Sequence, residues 1–179
     1  MGLPERTRTD QRPVARAADA AFEVFFREHY RPVVRLAYSV LGDGQRAQDV
    51  AQEVFFAAHA RFADAPAQAA GWVRVGAVHA ALNTLRGERR RERRQLDTRG
   101  EEPTPSAEQM AIERESRAEL RAALGRLPHR SAAVVVMRHG GMSYAEIAAA
   151  LGVKVGNVGT MLRRAESALC KELNRASRD

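Results

Sequence analysis

The sequence predicts an all-α protein made of two small helical domains joined by a flexible acidic linker. Apolar residues recur at helical spacing along most of the chain. No segment shows the strict alternation, bounded by turn residues, that marks a β-strand. Charge is segregated: residues 97–119 hold seven acidic and three basic side chains, a net of −4, whereas residues 126–179 hold nine basic and four acidic, a net of +5. The acidic stretch also contains Gly100, Pro103, Pro105 and Ser106, which is linker composition. The expected boundaries are a disordered basic arm over 1–19, a helical domain over 20–95, a linker over 96–112 and a second helical domain over 113–175.

The first domain reads as three helices. Phe22, Phe25, Phe26, His29, Val33, Leu36 and Val40 form one stripe; Pro32 is expected to kink or restart that helix, and Gly42 and Gly44 close it. The second helix turns Ala47, Val50, Val54, Phe55 and Ala58 inward and carries Asp49, Gln52 and Glu53 on its polar side. Pro66 breaks the chain before the third, where Trp72, Val75, His79, Leu82 and Leu85 form the stripe. That helix runs out into Arg86, Arg89, Arg90, Arg91, Arg93 and Arg94. Three such stripes can bury a shared core.

The second domain begins with a helix over 113–124, then Leu127-Pro128, then a helix through Met137. The run Val134 to Met137 lies within helical periodicity and is expected as buried helix. Ser143 and Glu146 have capping-box spacing, and Met142 and Ile147 sit at the positions of a hydrophobic staple. Gly152 supplies a turn after Leu151. A last helix from about Val155 to Leu173 turns Val158, Leu162, Ala165 and Leu169 inward. Small Ala148 at the crossing, a Gly turn, and Val153 and Val158 at the docking surface make this pair a helix-turn-helix candidate, although any αα-hairpin shares some of these features. In a helix-turn-helix the second helix enters the major groove with its N-terminal residues at base edges.

Composition narrows the function. With 179 residues and 45% apolar, the chain can bury at least one core. The net charge of +7 favours an anionic partner, either nucleic acid or an anionic membrane surface. No stretch approaches the ~18 uncharged apolar residues of a membrane span, so no membrane insertion is expected. Residues 1–19 carry Arg6, Arg8, Arg12 and Arg16 without the apolar core of a secretory signal. Cys170 is the single cysteine, which excludes an intramolecular disulfide or a thiolate zinc site and points to a reducing cytoplasm. The five histidines, His29, His59, His79, His129 and His139, have no metal-motif spacing. No metal, cofactor or catalytic residue is expected.

Leu127-Pro128, Ser143-Tyr144-Ala145-Glu146-Ile147-Ala148, Leu151-Gly152-Val153 and Arg164-Ala165 resemble the promoter −35-binding domain of sigma-70-type factors. Asp49-Val50-Ala51-Gln52-Glu53-Val54-Phe55 is similar to that family's signature for docking on RNA polymerase. Trp72 and the helix to Arg86 resemble its −10-reading segment. The resemblance spans about Phe22 to Leu173 and, lacking an intermediate domain, points to the extracytoplasmic-function group.

The resemblance implies a sigma factor, with the two domains as sigma regions 2 and 4, that binds core polymerase through the β′ clamp and β flap and reads promoter DNA. Asp49, Gln52, Glu53 and Phe55 would serve polymerase binding, the first three on the contact surface and Phe55 building the helix pair. Trp72, Arg74, His79, Asn83 and Arg86 would serve the −10 element. His79 falls where many members carry an Asn that handles a flipped-out base. Ser143, Tyr144, Lys154, Asn157, Thr160, Arg163 and Arg164 would serve the −35 element. The linker would thread the polymerase channel, and an anti-sigma factor is an expected partner.

Gly156, Asn157, Gly159, Thr160 and Met161 stand where relatives often carry more basic or hydroxyl residues, so −10 recognition is expected to carry more of the specificity. Two other readings stand beside this one. A stand-alone regulator would need a ligand-binding or phosphoacceptor domain in the first half, and no parallel-sheet pattern is present there. A nuclease or recombinase would need a clustered acidic metal site or a positioned nucleophile, and neither is visible.

Overall fold

The computed structural model describes residues 11–95 and 108–176. Among these, seven α-helices and one 3₁₀ turn form two packed groups and no strand. The first group is α1 (Gln11–Leu41), α2 (Gly44–Phe62) and α3 (Ala69–Gln95), with the 3₁₀ turn Pro66–Gln68 before α3. The second is α4 (Glu108–Arg126), α5 (His129–His139), α6 (Tyr144–Leu151) and α7 (Val155–Ala176).

α1 differs from its expected form in two ways. It is one helix through Pro32, without a restart, and it starts at Gln11, so residues 11–19 of the expected arm are helical. A mid-helix proline costs about 3 kcal/mol. Burial on both sides of the break offsets it: Phe22 and Phe25 before, Val33, Leu36, Ala37, Val40 and Leu41 after. Similarly, α4 begins at Glu108, inside the expected linker. The rest of the arm and of the linker, residues 1–10 and 96–107, lies outside the described residues.

The turns follow from their residues. Gly42 takes a positive φ of 66° to end α1, and the Asp43 carboxylate accepts from the Arg46 backbone N–H at 3.0 Å to start α2. At α6, Ser143 Oγ accepts from the Glu146 N–H at 3.2 Å, while Glu146 Oε2 accepts from the Ser143 N–H at 2.7 Å. The expected capping box is therefore present. Met142 and Ile147, the staple, are fully buried. Gly152 ends α6 at φ 62°, with the Val153 N–H reaching back to the Ala148 carbonyl at 3.0 Å.

α5 governs the arrangement of the two groups. Its residues Ala132 to Met137 are all buried, six in succession. A helix that is apolar all round needs partners on every side. α6 and α7 cover one side; α3 and α1 of the first group cover another. Side chains of both groups thus form one continuous hydrophobic cluster.

The cap makes a stability prediction. Ser143→Ala should lower unfolding free energy by about 1 kcal/mol, and Ser143→Asp should restore most of it. Urea denaturation followed by circular dichroism measures this; equal midpoints for parent and Ser143→Ala would remove the cap from the account.

Candidate nucleic-acid and polymerase interface

Three surfaces gather the residues singled out by sequence. The first is the outer face of α2. Asp49, Gln52 and Glu53 are exposed there, and Asp49 Oδ1 accepts from Gln45 Nε2 at 3.2 Å. Phe55 is not on this surface. It is 3% exposed and packs its ring against Phe25, Phe26 and Tyr30, so it builds the α1–α2 pair and has no ring face for a partner. Its neighbour Phe56 is 82% exposed on the same face as Gln52 and Glu53. The sequence reading missed Phe56, although adjacent phenylalanines on a helix lie about 100° apart, so that one core-facing ring puts the other near the surface.

The second surface is the exposed face of α7. Asn157, Thr160, Arg163 and Arg164 recur at helical spacing and are all exposed, with Lys154 in the turn before them. Val158, Leu162 and Ala165 are buried on the opposite face against α5 and α6. Tyr144 is half-exposed at the start of α6 with the Arg138 guanidinium 5.5 Å from its ring centre. Ser143 commits its hydroxyl to the capping box. A Cβ at Gly156 would meet nothing within 4 Å, and one at Gly159 only the Tyr144 ring at an ordinary 3.6 Å. Packing therefore does not require either glycine, and each retains its helix cost of about 1 kcal/mol.

The third surface, on α3, is occupied by the chain's own second half. Arg74 Nη1 donates to Glu146 Oε1 at 2.8 Å, and its Nη2 reaches the Gly140 carbonyl at 3.4 Å. The His79 ring lies parallel to that of His129, with centres 4.9 Å apart and an interplanar angle of 1°. Arg86 Nη2 donates to the Leu127 carbonyl at 2.6 Å. Three of the five residues expected to read the −10 element thus face α4–α6. Of the other two, Asn83 is exposed, and Trp72 is partly buried with its ring 5.8 Å from that of Phe62. His129 was not singled out by sequence; its role depends on a contact between residues fifty positions apart in the chain.

Close approach between the halves needs Gly140, where a Cβ would lie 2.3 Å from Leu36 Cδ1 and 3.0 Å from the Val136 carbonyl oxygen. Beside this contact a groove of about 970 Å³ opens between the groups, lined by Pro32, Leu36, Leu124, Val136 and Leu169, with His29, Arg35, Arg74, His139 and Glu146 among its polar walls.

Electrostatics follow the same contacts. Hydrogen bonds from the Ser143 backbone and hydroxyl, then the charge of Arg74, hold the Glu146 carboxyl below its usual pKa. Burial lowers the pKa of His79. Burial lowers that of His129 too, with Arg86 and His79 adding to it. Among the described residues no group of three or more His, Cys, Asp or Glu is placed to hold a metal ion. No helix among them is long and apolar enough to cross a membrane.

An exposed recognition helix on a capped helix-turn-helix, paired with a three-helix module, places the chain among DNA-binding proteins of helix-turn-helix type. Comparison with known proteins narrows the class. Residues 25–91 match Sigma-70 region 2, and residues 117–169 match Sigma-70, region 4. The chain is 31% identical over 161 residues to the ECF RNA polymerase sigma factor SigE of Mycolicibacterium smegmatis, covering 86% of this chain and 62% of that protein. It thus spans about six-tenths of the length of that curated relative. Its fold is similar to the solved structure of CnrH in complex with the cytosolic domain of CnrY, with a TM-score of 0.56 and 25% identity over 92% of this chain and 97% of that one. The chain belongs to the sigma-70 family, in its extracytoplasmic-function group.

Glu146 joins the cap of α6 to α3 and should make this junction sensitive to acid. A carboxyl with a lowered folded-state pKa adds stability above its unfolded value of 4.5, and loses it as pH falls through the folded value. Glu146→Gln should therefore lower the denaturation midpoint at pH 7 and flatten its fall between about pH 5 and 3. A variant whose acid profile coincides with the parent's would exclude Glu146 from that titration.

Proposed function

We propose that this protein is a transcription initiation factor that binds core RNA polymerase and directs it to promoters through −10 and −35 elements. The observation that carries the reading is the presence of both sigma regions in order. It acts by binding and strand capture, without covalent chemistry, in the cytoplasm.

In this reading residues 20–95 hold polymerase and the −10 element, and residues 113–175 hold the −35 element. α2 docks on the β′ clamp through Asp49, Gln52 and Glu53, with Phe56 as the apolar anchor at its edge. Exposed aromatics amid polar groups are frequent anchors of protein interfaces. α3 captures unstacked −10 bases, with His79 stacking and hydrogen-bonding at one of them; extruding a base costs a few kcal/mol. α7 enters the major groove at −35, where Asn157 and Thr160 face bases and Lys154, Arg163 and Arg164 face phosphates. Region 4 also meets the β flap.

The free chain should bind promoter DNA weakly, because Arg74, His79 and Arg86 are engaged within the protein. Core polymerase separates the halves and frees that face. An anti-sigma factor would act in the opposite sense by holding them together. The inter-half groove is the place for such a partner, and CnrH, solved in complex with the cytosolic domain of CnrY, supports a protein occupant.

Two experiments test the reading. Gln52→Ala with Glu53→Ala and Phe56→Ala should weaken association with core polymerase by about tenfold or more while helicity stays at the parent value. Undiminished co-purification would overturn the α2 assignment. Run-off transcription from a promoter library randomised at both elements tests the DNA faces. His79→Ala should relax preference at one −10 position. Arg163→Ala and Arg164→Ala should weaken binding evenly across sequences and reduce the salt slope by roughly 1 each. Unchanged −10 preferences in His79→Ala would remove that residue from base capture.

A further inference from the structure

The ring facing His79 in the closed chain belongs to His129, the first residue of α5. Two parallel imidazoles at 4.9 Å between centres are in offset stacking contact, the same contact a nucleobase would make on His79. The pair is flanked by cations. Arg86 donates to the Leu127 carbonyl just before α5, and Arg130 beside His129 donates to the Leu151 carbonyl at 2.6 Å. Farther along α3 lies the Arg74–Glu146 pair, whose carboxylate is committed to Arg74 and Ser143. Among the described residues, carboxylates pair with His59 (Asp19) and His139 (Glu166), and with neither ring of the stack. A proton arriving at the stack would therefore meet desolvation, a second imidazole and Arg86, with no opposite charge to balance it.

We infer that the His79–His129 stack is an acid-released latch between the two halves. With both rings neutral, the second half lies over the α3 face that carries Arg74, His79 and Arg86. Protonation of either ring parts the halves and uncovers that face. The direction follows from proton linkage. Burial holds both imidazoles below their ordinary pKa while the halves are closed, and opening returns them to water. The open form binds more protons, so closure is fully supported above about pH 6.5 and is lost as pH falls below it. Each proton taken up on opening changes the open-to-closed ratio by up to about tenfold per pH unit. The consequence for promoter access rests on the reading of α3 as the −10 face; the latch itself concerns only the two halves of the chain.

The test uses the full chain without DNA or polymerase. One dye is placed on Cys170 of α7 and the other on a cysteine introduced at exposed Val24 of α1. Energy transfer is followed from pH 8 to pH 5.5, with circular dichroism alongside to show that the helices persist. The parent should be closed at pH 8 and lose transfer as pH falls below about 6.5. His79→Phe combined with His129→Phe keeps two stackable rings that cannot titrate, and should stay closed throughout. His129→Lys should be open already at pH 8, as should Gly140→Val, which forces the halves apart at Leu36. A parent whose transfer does not change with pH overturns the latch. So does a His79→Phe, His129→Phe double variant with the parent's pH response, since the titrating group would then lie outside the stack. Loss of −10 selectivity in the transcription assay cannot produce or conceal either result, so failure of the DNA reading and failure of the latch are separable.

Discussion

The burial of α5 on all sides is the constraint from which the rest of the architecture follows. An eleven-residue helix with six consecutive buried positions cannot be satisfied by one neighbouring layer. α6 and α7 close over part of its surface to make the helix-turn-helix, and α3 with α1 closes over another part. Val135 and Val136 remain only slightly exposed as a result. Moving the halves apart exposes apolar surface at about 25 cal/mol per Å² unless another surface replaces it. Closure is therefore the chain's resting arrangement, and whatever opens it must offset the exposed surface.

Polar groups at this junction serve two purposes each. Glu146 completes the cap of α6 and also receives Arg74 from α3, so the start of the helix-turn-helix is tied to the first half by the same carboxylate that starts the helix. Arg86 reaches the carbonyl of Leu127 at the α4–α5 turn. His79 meets the ring of His129. Cationic and imidazole side chains of α3 thus find partners inside the chain: a carboxylate, a carbonyl and an imidazole. α7 has no such cover on its exposed face, and α2 keeps Phe56 outward, so these two faces stay available while the third is closed.

The side chains are distributed unevenly between α7 and α3. The α7 face carries two glycines that packing does not require and only a few cations. α3 is long and firmly packed along Val73, Ala77, Val78, Ala81 and Leu82.

Local physics made much of this protein legible in its amino-acid order. The capping box, the staple and the Gly152 turn depend on residues within ten positions of one another, and the sequence alone determined them. It also determined the helical class and the inward stripe and polar face of α2, because each rests on a period of 3.6 residues. On α3 the buried side is instead Val73, Ala77, Val78, Ala81 and Leu82, with Trp72, Val75 and His79 only partly buried. Tertiary structure decided what no period encodes. Pro32 stays inside one helix because buried residues on both sides outweigh its cost. Phe55 is buried as expected, and the exposure of its neighbour Phe56 is settled by the packed core. His129 acquires a partner, and Arg74, His79 and Arg86 lose their free face, through contacts between residues 41 to 72 positions apart. Such pairings depend on how the surface of α5 is finally covered, and that is a property of the assembled helices.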